Sequence, residues 1–184
     1  MKQRSEMQDM SERKTNFVCL ITGPAGGGKT SVSNALAKRF ERSAVIEVDT
    51  IQAMIKSGHV KPWPYTDEVS LQLFLSAKNA CDIANNLLEK DFNVIIADAV
   101  GKTQLEQYSN FFKDRNFKTF LLLPLLDVLL TRFDNREDNK ELRERTTELH
   151  KKFSERRDQL NWQAIDSSNQ SLEETVEQIY KELV

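Results

Sequence analysis

Five short apolar runs punctuate the chain, and a stretch with helical spacing follows each of them. Phe17-Val18-Cys19-Leu20-Ile21 is β-rich and runs straight into glycines, which suits a buried parallel strand better than a helix. A second run, residues 44–48, ends at Asp49, and a third, residues 94–97, ends at Asp98. A fourth covers residues 117–123, and the short Ala164-Ile165 ends at Asp166 before a Ser-Ser-Asn turn. Val32, Leu36, Ala37 and Phe40 recur at helical spacing in residues 29–40. Further helices are predicted over residues 50–56, 66–90, 102–115, 125–135, 141–160 and 171–183, with Leu71, Leu75, Ile83 and Leu87 read as core. Strands alternating with helices predict an α/β fold, a parallel sheet covered on both faces. In such sheets ligands bind beyond the carboxyl ends of the strands.

The pattern starts late. Residues 1–15 mix charge and polarity, their methionines have no apolar partners nearby, and a disordered or frayed tail is expected there. Residues 16–184 read as one domain, because no Pro/Gly/Ser linker divides them. The one irregular stretch, residues 58–65, holds two prolines, Trp63 and Tyr65. It is read, with the helix after it, as an acceptor-binding lobe over residues 58–90, although buried packing of those rings is an equal alternative. The 184 residues carry 26 basic and 28 acidic side chains, a balance that gives no electrostatic reason to expect a nucleic acid or an anionic membrane as partner. No apolar stretch approaches the roughly 20 residues that span a bilayer, and no secretory pattern opens the chain. A cytoplasmic monomer or weak dimer is the expectation. Cys19 and Cys81 are the only cysteines and read as buried free thiols. His59 and His150 read as surface residues.

Residues Gly23 to Thr30 spell GPAGGGKT, matching GxxxxGK[ST] at every fixed position between a predicted strand and a predicted helix. Glycines let backbone N–H groups turn inward around a phosphate, and the helix that starts there adds its positive end. Gly23, Pro24, Ala25, Gly26, Gly27, Gly28, Lys29, Thr30 and Ser31 are therefore candidate nucleotide-binding residues. Lys29 is expected on the β- and γ-phosphates and the Thr30 hydroxyl on Mg²⁺. Asp98 is the natural second metal carboxylate, with a helix N-cap as the alternative reading. Asp49 is a candidate general base for an acceptor hydroxyl and equally a candidate N-cap. Glu47 lies on the same strand face as Asp49, as a supporting carboxylate or the partner of a nearby cation.

Between residues 132 and 158 charges of both signs crowd together, which by itself is a solvated helix surface. Arg132 and Arg136 stand four apart, and Arg143 and Arg145 follow a polar break. An arginine-bearing lid over residues 132–145, closing on phosphates and excluding water, is the functional alternative.

With these residues in place the chain resembles the small P-loop kinases with a lid: shikimate kinase, gluconate kinase, chloramphenicol phosphotransferase and the nucleoside monophosphate kinases. GPAGGGKT, Asp49 in VIEVDT, Asp98 in VIIAD, the Arg132/Arg136 spacing and the late IDSS turn carry the resemblance. The nearest likeness is to uncharacterised bacterial ATP-binding proteins of the chloramphenicol phosphotransferase-like type. It implies a three-layer αβα P-loop NTPase fold with a five-stranded parallel sheet and a small helical lid. It also implies ATP with Mg²⁺ and transfer of the γ-phosphate to a small molecule. Arg132 or Arg136 would pack on adenine or phosphate, and the Asp166-Ser167-Ser168 turn would border the adenine. Glu-Val-Asp in the second strand and the lack of a glycine-rich loop after the third depart from the shikimate kinases.

A regulatory GTPase is the reading from another class. Asp98-Ala-Val-Gly101 fits DxxG, and Asn135-Arg-Glu-Asp138 is one residue from NKxD, but within or at the end of a helix instead of directly after a strand. A nucleoside or nucleotide kinase is a further alternative. Residues 50–75 contain no arginine, only Lys56 and Lys61, which predicts an uncharged or weakly charged acceptor.

Overall fold

The computed structural model describes residues 16–135 and 139–184. The expected tail and Arg136 lie outside the described residues. Strands β1 (Phe17–Thr22), β2 (Ser43–Glu47), β3 (Asn93–Ala97), β4 (Asn116–Leu122) and β5 (Gln163–Ile165) form one sheet in the order β2-β3-β1-β4-β5. Every pairing is parallel, with Leu20 opposite Ile96 on one side and Thr119 on the other. The helices are α1 (Lys29–Ala37), α2 (Val48–Gln52), α3 (Asp67–Leu88), α4 (Lys102–Phe111), α5 (Leu126–Asp134), α6 (Lys140–Arg156) and α7 (Leu172–Leu183).

Two-residue periodicity sorts the central strand between two cores. Val18 and Leu20 join Ala77, Ala84 and Tyr108 of α3 and α4, whereas Phe17, Cys19 and Ile21 join Leu36, Val176 and Ile179 of α1 and α7. All of β1 is buried, as a strand covered on both faces must be. Leu121 and Leu123 seat Phe153 of α6 on the same side as α3, with Trp162 touching both groups. The fold is the three-layer αβα sandwich. Among the described residues no helix is long and apolar enough to cross a membrane.

Local chemistry explains the boundaries. Thr66 caps α3 by accepting from Val69 N at 3.2 Å, and Ser171 and Glu174 form a reciprocal capping box on α7. Three readings need correction. First, β2 stops at Glu47 and Val48 opens α2, so Asp49 is not at a strand end and does not cap the helix; it sits exposed in the first turn. Second, Leu71, Leu75 and Ile83 are exposed at 51%, 41% and 40%. Ala77, Ala80, Cys81 and Ala84 face the sheet instead, because small side chains let the helix approach it closely. The second half of α3 is thus core layer, and the part of residues 58–90 that stands off the sheet is its beginning. Third, His150 is part-buried, with Nε2 2.9 Å from the Pro124 carbonyl. Cys19 and Cys81 are buried and free, and burial pushes both thiols up, that of Cys81 to about 12.

Candidate active site at the carboxyl edge of the sheet

β1 delivers Thr22 into the Gly23–Thr30 loop, which turns directly into α1. Gly23 passes so close to β4 that a Cβ there would lie 2.4 Å from the Leu122 carbonyl oxygen. Gly28 precedes α1 at φ 95°, left-handed backbone that glycine adopts without a Cβ penalty. No side chain caps α1, so its first turn is presented to an anion. The Lys29 ammonium donates to the Gly23 and Pro24 carbonyls at 2.9 and 3.2 Å, which holds it over the loop. Thr30 Oγ1 lies 3.5 Å from Glu47 Oε2, and Asn34 reaches Glu47 Oε1 at 3.4 Å. Glu47 thus stands beside the Thr30 hydroxyl.

β3 sets Asp98 against the same loop. Its N–H donates to Ile21 O at 3.2 Å, and the next turn is tied to β1 where Val100 N donates to Thr22 Oγ1 at 3.1 Å. Asp98 is buried, and Tyr108 donates to its Oδ2 at 2.9 Å. Burial raises the carboxyl to about 6, and the charge of Asp49 adds to this, while the Tyr108 hydroxyl, the Ala99 N–H and Lys29 oppose it. α4 begins at Lys102 with Gly101 at its N-cap position, so Asp98 does not cap it. The Thr30 hydroxyl, the buried Asp98 carboxylate and Glu47 are each hard-oxygen donors of the kind Mg²⁺ takes together with phosphate oxygens and water. Among the described residues no group of three His, Cys, Asp or Glu could hold a metal alone.

Two cavities open here. The first, about 440 Å³, lies beside Gly26, Gly27, Gly28 and Ser31 and extends past Arg132 to Ser167. Arg132 Nη2 donates to Ser167 O at 2.8 Å and Nη1 to its hydroxyl at 3.3 Å. The arginine at the end of α5 is thereby locked to the late turn, while Ser168 bonds Asp166 and accepts from Leu125 N at 2.7 Å. Asn135, singled out in sequence only for the guanine-reading alternative, also lines this cavity, as do Gln170 and Thr175, which were missed. The capping box at Ser171 and Glu174, which starts α7 directly after the turn, was the signal that could have found the last two.

The second cavity, about 500 Å³, lies between Trp63 and Tyr65, the Ala99–Gln104 segment and the face of α6 that carries Arg145. Burial lowers the Arg145 guanidinium below its ordinary value, with the charges of Asp49 and Glu148 acting against this. Arg145 thus feels the charge of Asp49. Trp63 and Tyr65 are exposed at 40% and 61%, so neither is buried packing. Lys152, Arg156 and Trp162 of this cavity carried no sequence motif.

No protein-family model and no curated protein sequence matches the chain. Solved structures do resemble it. A gluconokinase from Sinorhizobium meliloti 1021 aligns at TM-score 0.67 and 18% identity over 93% of each chain. The Deinococcus radiodurans tunicamycin resistance protein aligns at 0.66 and 19% over 91% of this chain and 95% of its own. Shikimate kinase from Acinetobacter baumannii, in complex with shikimate, aligns at 0.62 and 18% over 95% and 96%. The chain therefore has the fold of the small P-loop kinases, along essentially its whole described length.

Proposed function

We propose that the protein is a kinase that transfers the γ-phosphate of ATP, with Mg²⁺, to a hydroxyl of a small molecule. One observation carries the reading: the phosphate loop borders the first cavity at Gly26, Gly27 and Gly28, and the segment directly after Asp98 lines the second, both of suitable size. In this reading the first cavity takes the nucleoside, bordered by Arg132 and Ser167. Lys29 leaves the loop carbonyls for the β- and γ-phosphates and stabilises charge that grows on the transferring group. Thr30 and Asp98 hold the ion, with Glu47 beside them. Mg²⁺, when bound, supplies neutralisation of the phosphate oxygens. Asp49, exposed in the first turn of α2, accepts the proton of the acceptor hydroxyl, and Arg145 helps close the cleft over the reacting groups.

A guanine-reading switch is not favoured, because Asn135 follows α5, well beyond β4, and is not in a loop leaving a strand. The test is thermal stabilisation by ATP, GTP and their diphosphates with Mg²⁺, since a ligand that binds only the native state raises the melting temperature. ATP stabilisation that is lost in Lys29→Ala, with ADP formation on adding an acceptor from a hydroxylated panel, supports the kinase. GTP selectivity without any acceptor effect overturns it.

A further inference from the structure

The second cavity has a lining more specific than a general hydroxyl acceptor requires. On α6, Arg145, Lys152 and Arg156 follow one another at helical spacing along a single face, and all three line the cavity. Among the described residues none of them is in an ion pair. Lys102, paired with Glu106 at 3.7 Å, adds a fourth cation to the lining, against Glu148 as the acid, and leaves the three of α6 as the unpaired ones. Opposite stand the exposed rings of Trp63 and Tyr65, and the Lys152 ammonium lies 5.5 Å from the centroid of the Trp63 ring. Exposed ring faces beside cations without carboxylate partners are complementary to a ligand that brings both a flat surface and a negative charge. The absence of arginine from residues 50–75 pointed toward a neutral acceptor. That reading counted only nearby residues, whereas the cations of this cavity come from α6, far along the chain, and only the fold sets them against Trp63.

We propose that this cavity takes an acceptor that joins a planar unsaturated ring to an anionic group, a carboxylate or a phosphate, with the ring on Trp63 and Tyr65 and the anion on Lys152 and Arg156. The assignment rests on the kinase reading for the word acceptor, but the ligand class follows from the lining alone. A volume of about 500 Å³ suits a molecule from the size of a hydroxylated aromatic acid to that of a nucleoside monophosphate.

The test is direct binding to the full chain without ATP, followed by calorimetry and by tryptophan emission. Trp63 and Trp162, the protein's two tryptophans, both line this cavity. Cytidine 5′-monophosphate and 3-hydroxybenzoate serve as charged ring probes for the phosphate and carboxylate arms. Cytidine and 3-hydroxybenzyl alcohol are their neutral partners, and ribose 5-phosphate is the anion without a ring. The expected result is that one charged ring probe binds roughly tenfold more tightly than its neutral partner and than ribose 5-phosphate, and the arm that responds tells phosphate from carboxylate. The double variant Lys152→Gln/Arg156→Gln, both exposed positions, should erase the preference for charge at an unchanged melting temperature. Trp63→Leu should weaken the ring probes and leave ribose 5-phosphate as it was. Equal binding of charged and neutral partners, no binding of either charged probe, or a preference that survives the double variant overturns the proposal. Loss of ATP stabilisation with the ring-anion preference intact would remove the kinase and leave the ligand class standing.

Discussion

The phenol of Tyr108 donates to Asp98 Oδ2 at 2.9 Å, so the carboxylate at the end of β3 is held from beneath by a side chain with no solvent exposure. The arrangement is costly for the ionised acid. With its carboxyl raised from 3.8 to about 6, the folded protein binds a proton that the unfolded chain has already lost, so stability falls as pH rises through that window. Above it the charged Asp98 costs on the order of 3 kcal/mol. In protein freed of divalent ions, Asp98→Asn should therefore melt about 5 °C or more higher at neutral pH, with the gain shrinking as the pH is taken toward the unfolded value, while phosphoryl transfer is lost. Thermal melts of both proteins across that range check it. A melting difference independent of pH refutes the assignment.

At the phosphate loop the steric requirement separates two glycines that both have positive φ. A Cβ on Gly23 would meet the Leu122 carbonyl at 2.4 Å, whereas one on Gly58 at φ +78° meets nothing within 4 Å. Gly23→Ala should cost more than about 2 kcal/mol and abolish nucleotide stabilisation; Gly58→Ala should cost only about 1 kcal/mol. Urea unfolding of the pair measures the contrast, and equal losses would mean that the loop shifts freely away from β4.

Asp49 is exposed and tied electrostatically to both Asp98 and Arg145. Asp49→Asn keeps the fold of α2 and should retain stabilisation by ATP while lowering turnover by roughly 10² to 10⁴. Unchanged turnover with an acceptor that the wild type phosphorylates would take Asp49 out of the chemistry.

Arg132 links the end of α5 to the Ser167 turn through two donated bonds. Arg132→Ala should raise the KM for ATP about tenfold with a smaller effect on kcat, because the proposed function puts this contact beside the nucleoside and not the transferring phosphate. Ser167→Ala, which keeps the backbone acceptor, should do less. Steady-state kinetics of the two variants settle the order.

The strands and most helix cores were legible because their signals are local. An apolar run between glycines has few alternatives to a buried strand, and GPAGGGKT states its own backbone geometry. The misreadings arose where the periodic signal was true but its direction was not. Leu71, Leu75 and Ile83 do recur at helical spacing, yet the face that packs is the small one at Ala77, Ala80, Cys81 and Ala84, with Leu87 at its edge, since burial close to a sheet rewards slender side chains as well as apolar ones. Val48 looked like strand and opened a helix, moving Asp49 from a sheet edge to a helical turn.

What the sequence by itself determined is therefore the alternation of elements, the phosphate loop and the class of ligand that loop can hold. Only the tertiary structure decided how the rest is assembled around it. The pairing of β3 with β1 set Asp98 beside the loop, and the packing of α4 placed Tyr108 under that carboxylate. The seating of α6 on Leu121 and Leu123 carried Arg145, Lys152 and Arg156 across to Trp63. These residues lie tens of positions apart and share no spacing rule, because a parallel sheet connects its edge through crossovers and brings distant carboxyl ends together in space.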